Sequence, residues 1–314
     1  MKRILVIGGT GAMGTYLVPL LAKSGYSVTV IANDAVLPAD YENVKFIKAD
    51  MFDIGVVRSI AEENFDAVVD FMIYDTANFA KYVPVYLDHT AQYVYLSSYR
   101  VFADLCHPVT ENSPQLLDVS TDYDLRYSDD YSIYKAKGER FLRGYNADNW
   151  TIIRPAITYS KYRCQLMTLE RPQIMGALKA GKPVILAENA MNVQATMTWA
   201  GDVAKMIKGL LFNPKALKND YNVTTSETRT WGEIARYYND IFGLNFVVGT
   251  EEEYLRARAG GDYGIWMKWQ LHYDRMFDRI MDNSKILRDA GLEQKDMTLL
   301  YDGLTREKDT LSDF

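Results

Sequence analysis

A glycine-rich segment near the start of the chain is compatible with only a few folds. The apolar run over residues 4–7 ends at Gly8-Gly9-Thr10-Gly11-Ala12-Met13-Gly14, and a helical pattern over residues 15–23 follows at once. A strand, a tight glycine turn and a helix N-terminus in this order are typical of a phosphate-binding loop, because free backbone N–H groups and the helix dipole attract phosphate. A glycine turn that serves packing alone is the alternative. Two glycine spacings fit the segment, one starting at Gly8 and one at Gly9, and both continue through Gly11 and Gly14.

Short apolar runs alternate with helical patterns through the first 160 residues. Such runs predict strands that are buried on both faces of a parallel sheet, and right-handed crossovers make that sheet doubly wound. The polar stretch over residues 99–128 is interpreted as a long loop. The predicted strands are 4–7, 27–32, 44–47, 67–71, 93–96 and 150–154, and the predicted helices are 15–23, 56–63 and 129–145.

The pattern becomes mixed after residue 160. Helices are predicted over residues 171–180, 202–212 and 230–242, the last with Thr230 and Glu233 at capping-box spacing. We therefore predict an α/β fold in which a doubly wound parallel Rossmann sheet is joined to a smaller mixed C-terminal substrate domain. The predicted boundaries are 1–160 plus about 196–225 for the dinucleotide-binding domain, and about 161–195 plus 226–314 for the substrate region.

Composition limits the classes of function. The formal net charge of −6 disfavours a nucleic-acid-binding surface, so we expect a small-molecule substrate and no nucleic acid. Cys106 and Cys164 form no CxxC pair and only three histidines accompany them, so no metal site is expected. No apolar run reaches transmembrane length, and the first one is too short for a signal peptide. A cytoplasmic protein without a membrane segment is the expectation.

The predicted strand ends supply the other cofactor candidates. After the second strand, Asn33 and Asp34 offer a carboxylate for a ribose 2′-hydroxyl and no basic residue for a 2′-phosphate, which favours NAD and leaves NADP open. Asp34 as an ordinary turn residue is the alternative. Asp50 and Met51, after the third strand, are placed near the adenine. Asp53 is expected to cap the next helix. Phe71 and Met72, after the fourth strand, are expected to flank the nicotinamide.

A Tyr-x-x-x-Lys sequence falls on the helix between the fifth and sixth strands. Its i, i+4 spacing puts the Tyr131 phenol and the Lys135 ammonium on one helix face. The lysine charge would favour the phenolate, so Tyr131 could exchange a proton with a substrate hydroxyl while hydride moves to or from the cofactor. Ser97 and Ser98 end the fifth strand, at the sheet edge where ligands bind. We predict Ser98, Tyr131 and Lys135 as the catalytic group, with Tyr131 and Lys135 also touching the cofactor.

At this point the chain resembles the extended short-chain dehydrogenase/reductase family, in its NAD-dependent epimerase/dehydratase group. Gly8, Gly11 and Gly14 match the family's GxxGxxG loop, Tyr131 and Lys135 match its YxxxK, and Leu96–Phe102 resembles its SSxxVY segment, which implies Ser98 as the catalytic hydroxyl. Further similar segments are Glu139 after the YxxxK, Ile153-Arg154-Pro155, Asp202-Val203-Ala204, Tyr221-Asn222-Val223 and Asp282-Asn283-Ser284-Lys285. The resemblance implies an NAD(P)-dependent oxidoreductase or epimerase that acts on a hydroxyl or carbonyl, with sugars and nucleotide sugars as candidate substrates.

The chain also departs from the family's patterns. Tyr99 and Arg100 stand where nucleotide-sugar 4,6-dehydratases carry an acidic pair, and Pro155-Ala156-Ile157 replaces the asparagine that many epimerases place after the strand-six arginine. Arg163, Trp266 and Trp269 are candidates for the substrate pocket, with surface or packing roles as the alternative. The competing hypothesis is a non-catalytic NAD(P)-binding regulator or RNA-associated protein on the same fold. A homodimer is compatible with either reading.

Overall fold

The computed structural model describes residues 1–34 and 41–312, and side chains through residue 310. The strands are β1 (Arg3–Ile7), β2 (Ser27–Ala32), β3 (Val44–Lys48), β4 (Ala67–Asp70), β5 (Tyr93–Leu96), β6 (Trp150–Pro155), β7 (Ile157–Tyr159), β8 (Gln165–Leu166), β9 (Leu169–Glu170), β10 (Val184–Ala187), β11 (Gln194–Ala195), β12 (Met197–Trp199), β13 (Asn219–Val223), β14 (Arg229–Thr230) and β15 (Phe246–Gly249).

The helices are α1 (Gly14–Lys23), α2 (Ile54–Ala61), α3 (Thr76–Leu87), α4 (Leu116–Val119), α5 (Tyr123–Tyr127), α6 (Tyr131–Gly144), α7 (Arg171–Ala180), α8 (Ala200–Leu210), α9 (Trp231–Phe242), α10 (Glu251–Ala259), α11 (Ile265–Gln270), α12 (Ser284–Ala290) and α13 (Leu300–Ser312). A π-helical turn, Leu271–Arg275, follows α11 directly. Single π-helical turns are frequent at functional sites.

The central sheet has seven parallel strands in the order β13-β6-β5-β4-β1-β2-β3. Alternate residues of each strand face opposite layers: Ile4 and Val6 pack with α1 and α8, whereas Leu5 and Ile7 pack with α2, α3 and α6. The strand order reverses between β4 and β1, so the crevice at the carboxyl ends of these strands is where such a sheet binds its ligand. The predicted doubly wound parallel α/β fold is confirmed.

A separate hydrophobic cluster is built mainly from residues after 155, with a few residues between 99 and 136. Trp231, Tyr238 and Tyr254 are fully buried there, together with short strand pairs such as β10–β15 and β8–β9. The Thr230–Glu233 capping box predicted for α9 is present, with the Glu233 N–H donating to Thr230 Oγ1 at 3.2 Å and the Thr230 N–H donating to Glu233 Oε2 at 2.8 Å.

The prediction of a long loop over residues 99–128 is only partly right. A 3₁₀ turn (Tyr99–Val101), α4 and α5 interrupt this stretch. Leu116 and Leu125 are buried against Ile133 of α6, and this packing gives order to short helices whose polar composition indicates a loop.

Candidate functional site

The glycine segment forms a tight turn between β1 and α1 whose steric demands explain its glycines. Gly8 has φ of +70°, a conformation that side chains rarely adopt. A Cβ at Gly14 would lie 2.3 Å from the Gly9 carbonyl oxygen, so only glycine permits this approach of helix and turn. Within the described residues, the backbone N–H groups of Ala12 and Met13 have no hydrogen-bond acceptor and stand beside the cleft, as phosphate binding requires.

A cleft of about 410 Å³ opens at the carboxyl ends of the central strands. This volume falls within the range of about 300–1,000 Å³ that is usual for small-molecule sites. The predicted site residues that line it are Gly8, Gly11, Ala12, Met13, Gly14, Phe71, Ser98 and Tyr131. The cleft therefore brings the glycine loop together with two members of the predicted catalytic group. Of the two possible glycine spacings, the one that starts at Gly8 lines the cleft, because Gly8 is a lining residue and Gly9 is not.

Ser98 and Tyr131 approach the cleft from different elements. Ser98 follows β5 directly, where its Oγ accepts a hydrogen bond of 3.2 Å from the Arg100 N–H and caps the 3₁₀ turn. Tyr131 is the first residue of α6, which Asp130 caps by accepting from the Ser132 N–H at 3.0 Å. The cap fixes where α6 begins, and so it fixes the position of the Tyr131 ring at the cleft wall.

Lys135 lies behind the cleft wall and is completely buried. Its ammonium donates a hydrogen bond of 2.6 Å to the Leu96 carbonyl oxygen and lies 5.7 Å from the centre of the Tyr131 ring. Burial lowers the pKa of Lys135 to about 8, although the nearby carboxylates of Asp70 and Glu139 favour the charged form. In this arrangement Lys135 can act on the Tyr131 phenol electrostatically; its predicted contact with a cofactor stays a prediction.

Asp70, at the end of β4, is a buried carboxylate that the sequence reasoning missed. It accepts hydrogen bonds from Tyr93 Oη at 2.8 Å and from the Met72 N–H at 2.9 Å. Burial raises its pKa, and the Lys135 ammonium opposes that shift. The bond to Met72 holds the backbone of Phe71 and Met72 beneath the cleft. The sequence signal that could have identified Asp70 is an acidic residue at the end of a buried strand.

The residues predicted for the adenosine end lie outside the cleft lining. Asn33 and Asp34 are exposed just after β2, and the residues that follow them, 35–40, lie outside the described residues. Asp50 is exposed and accepts from the Phe52 N–H at 2.9 Å, whereas Met51 is buried in the hydrophobic layer of α2 and α3. Their cofactor roles, and that of partly buried Met72, stay predictions. Asp53 caps α2 through the Gly55 N–H at 2.8 Å, as predicted.

Arginine side chains are prominent in the cleft wall. Arg100, Arg163 and Arg275 all line the cleft, and Arg275 is almost fully buried. Gln165, Glu170 and Gln270 also line it. No sequence signal marked Arg275, because the π-helical turn that aims it inward has no recognisable pattern.

Of the three residues offered for a substrate pocket, the structure brings only Arg163 to the cleft. Trp266 is 53 % exposed on α11, and the Arg258 guanidinium stacks on its ring at 5.4 Å. Trp269 packs against the small cluster around Leu125 and Ile133. Trp269 therefore has a packing role and Trp266 is a surface residue, and neither lines the cleft.

Metal sites and membrane-spanning helices are two further classes of feature to consider. The described residues contain no group of three or more His, Cys, Asp or Glu side chains arranged to hold a metal ion. None of the helices within residues 1–34 and 41–312 combines the length and apolar character needed to cross a membrane.

Comparison with known families and solved structures agrees with the fold. Residues 4–83 match the model of the family described as "NAD dependent epimerase/dehydratase family". An epimerase from Methanothermobacter thermautotrophicus superposes over 99 % of this chain and 92 % of its own, with a TM-score of 0.76 and 16 % identity. The UDP-glucose 4-epimerase of Thermus thermophilus, solved with NAD, superposes over 99 % of both chains, with a TM-score of 0.70 and 18 % identity. NAD, predicted from the strand ends, is thus the cofactor that the family description names.

Two curated relatives match different lengths of this chain. The chloroplast stem-loop binding protein of 41 kDa b from Arabidopsis thaliana is 24 % identical over 249 residues, which are 75 % of this chain and 62 % of the plant protein. The UDP-glucose 4-epimerase of Neisseria meningitidis serogroup B is 36 % identical over 81 residues, which are 23 % of this chain and 24 % of that enzyme. The chain thus aligns with less than two thirds of the length of either curated relative.

Proposed function

We propose that the chain, whose residues 4–83 match the model of the NAD-dependent epimerase/dehydratase family, is an NAD-dependent oxidoreductase or epimerase acting on a hydroxyl or carbonyl group of a small molecule. One observation carries the proposal: Ser98 and Tyr131 line the same cleft as Gly8, Gly11 and Gly14. Nucleotide sugars are the substrates that we test first.

The glycine turn fits the pyrophosphate of a dinucleotide. The N–H groups of Ala12 and Met13 are free for phosphate oxygens, and a side chain at Gly11 would occupy space beside the turn that lines the cleft. Phe71 supplies an apolar wall for the nicotinamide end. A bound NAD would supply the acceptor and donor of hydride; the chain's own residues handle the proton and the orientation of the substrate.

Tyr131 would accept the proton of the substrate hydroxyl during oxidation and return it during reduction. Ser98 would hold the same oxygen by a hydrogen bond. The buried ammonium of Lys135, at 5.7 Å from the ring centre, would stabilise the negative charge that the Tyr131 oxygen carries between the two transfers. Oxidoreduction and epimerisation share this chemistry, because an epimerase reduces the carbonyl intermediate again from its other face.

We further propose that residues 161–195 and 226–314 form the substrate-binding region, next to a dinucleotide-binding domain of residues 1–160 and 196–225. Support comes from the cleft lining, in which Arg163, Gln165 and Glu170 come from the first segment and Gln270 and Arg275 from the second. These side chains line the same cleft as the glycine loop and would select the substrate.

The test of the proposed function compares the wild-type chain with Tyr131→Phe. NADH affinity is measured by fluorescence titration, and turnover is measured on a panel of nucleotide sugars by cofactor absorbance and by product stereochemistry. Tyr131→Phe should reduce turnover by at least about a hundredfold, the usual contribution of a general acid/base, while NADH affinity stays within about twofold.

Tyr127→Phe is the matched control, because this tyrosine is 81 % exposed on α5. Its turnover should equal that of the wild type. If Tyr131→Phe turns over its substrate at the wild-type rate, the catalytic assignment is wrong. If the wild-type chain does not bind NADH, the cofactor assignment is wrong.

An RNA-associated protein is the second candidate, favoured by the 75 % of the chain that aligns with the plant stem-loop binding protein. The net charge of −6 and the serine and tyrosine in the cleft favour the enzyme. Fluorescence anisotropy with an RNA stem-loop over a salt series separates the two candidates. Tight binding with a steep salt dependence would support the RNA role, since phosphate contacts release counterions.

A further inference from the structure

Arg100 occupies an unusual place beside the predicted catalytic tyrosine. Its guanidinium carbon lies 4.9 Å from the centre of the Tyr131 ring, and its side chain is only 13 % exposed. It lines the cleft two residues after Ser98. Any substrate whose oxygen reaches both Ser98 and Tyr131 therefore also comes close to this cation.

The Arg100 guanidinium is held in place by charge but makes no hydrogen bond within residues 1–34 and 41–312. Its Nε lies 3.2 Å from an Asp274 oxygen without hydrogen-bond geometry, and its NH2 lies 3.8 Å from Asp130. Nε is the Arg100 side-chain atom that is buried without a hydrogen-bond partner, and shielding a guanidinium N–H without an acceptor is unfavourable. A ligand with paired oxygen acceptors would supply partners for this guanidinium.

Asp274 fixes the arginines around it. It contacts Arg275, lies 3.9 Å from Arg279 Nε, and accepts a hydrogen bond of 2.5 Å from Tyr99 Oη. Arg275 in turn donates to the Met167 carbonyl oxygen at 2.8 Å. These contacts hold the Asp274 carboxylate in place, and Asp274 in turn pairs with Arg100.

The charged side chains that line the cleft around Arg100 are mostly cations. Arg100, Arg163 and Arg275 line it, and Glu170 is the one carboxylate among the described lining residues. Two further carboxylates, Asp130 and Asp274, lie within ion-pair distance of Arg100. A lining in which cations predominate favours an anionic ligand.

We infer that Arg100 binds a carboxylate of the substrate, on the same part of the molecule as the hydroxyl that faces Tyr131. This inference rests on the proposed function and adds to it a substrate class, the hydroxy acids, with acidic sugars among them. The planar fork of Arg100 matches the two carboxylate oxygens, and stacking on Tyr131 places them beside the reacting oxygen.

The experiment compares two pairs of ligands that differ only in a carboxylate replacing a neutral terminal carbon: UDP-glucuronic acid with UDP-glucose, and glucuronate with glucose. Affinities are measured by calorimetry with and without NADH, for the wild type, Arg100→Gln and Arg100→Lys. The wild type should bind the acid about tenfold or more tightly than its neutral counterpart in at least one pair, the usual effect of a charge-assisted hydrogen bond.

Arg100→Gln should bring this ratio close to one, and Arg100→Lys should retain part of the preference. Arg140→Gln removes the same charge from an exposed site of α6 and should keep the wild-type ratio.

The inference is overturned if the wild type prefers the acid in neither pair, or if Arg100→Gln keeps the preference. Loss of NADH binding, or full turnover by Tyr131→Phe, would overturn the proposed function without changing this ratio. Should Arg100→Gln fail to fold, the wild-type ratio and the Arg100→Lys variant still decide.

Discussion

Arg154 donates two hydrogen bonds to Glu139, from Nε at 2.7 Å and from NH2 at 2.6 Å, and neither side chain is more than 1 % exposed. The pair joins β6 to α6, the helix that carries Tyr131 and Lys135. Ser97, beside the predicted catalytic serine, donates to the same carboxylate at 2.5 Å. The elements that carry the predicted catalytic group therefore meet at one buried ion pair.

Replacing Arg154 by methionine should lower the free energy of unfolding by about 3–5 kcal/mol, because the buried Glu139 carboxylate would lose its hydrogen-bonded cation and keep only Arg143, whose NH2 lies 3.9 Å away. Urea denaturation measures this change. Arg140→Gln, which breaks an exposed ion pair with Asp118, should cost less than about 1 kcal/mol. A loss below about 1 kcal/mol for Arg154→Met would show that the buried pair does not hold α6 in place.

Lys135 gives a prediction for the dependence of stability on pH. Its pKa is lowered from 10.5 to about 8 in the folded chain, so between these values the unfolded chain binds one more proton at this site and stability rises with pH. Relative to Lys135→Met, the wild type should therefore gain a few kcal/mol of unfolding free energy between about pH 8 and pH 10.5. Urea denaturation of both proteins across that range tests this, and a constant difference between them contradicts it.

Local patterns predicted most of the sheet and part of the site. The strands β2 and β5 begin and end where their apolar runs do, because each run is buried on both faces. Capping by Asp53 and Thr230 was predictable because the cap and the bonded N–H lie within three residues. Ser98 and Tyr131 meet at the cleft because parallel strands present their carboxyl ends at one edge.

Features that depend on distant contacts were not predictable. Arg275 reaches the cleft only because the π-helical turn places it against the Met167 carbonyl oxygen, far away in the sequence. The helices α4 and α5 form because Leu116 and Leu125 find a buried surface on α6. A sequence pattern shows which residues are apolar or charged, but it does not show which distant residues they will contact in the fold.

We predict that a substitution at Gly11 affects cofactor binding without affecting folding. A Cβ at this position would meet only the Gly8 carbonyl oxygen, at 3.4 Å, which is an ordinary contact. Gly11→Ala should therefore change the free energy of unfolding by less than about 1 kcal/mol, yet weaken NADH binding about tenfold or more by obstructing the pyrophosphate.

The matched variant Gly14→Ala should instead destabilise the fold, because its Cβ would lie 2.3 Å from the Gly9 carbonyl oxygen. Fluorescence titration with NADH and urea denaturation of both variants make the comparison. Unchanged NADH affinity in Gly11→Ala would show that the turn does not hold the cofactor.

We predict that Asp34 selects between the two nicotinamide cofactors. Its carboxylate is exposed at the end of β2, where it can accept a hydrogen bond from the ribose 2′-hydroxyl of NADH and repel the 2′-phosphate of NADPH. Asp34→Ala should weaken NADH binding about tenfold and leave NADPH binding equal or tighter, so that the ratio of the two affinities falls. Asn33→Ala, one residue earlier and equally exposed, is the control and should change the ratio less. Fluorescence titration with each cofactor measures the ratio. If Asp34→Ala keeps the wild-type ratio, Asp34 is a turn residue and cofactor selection depends on other groups.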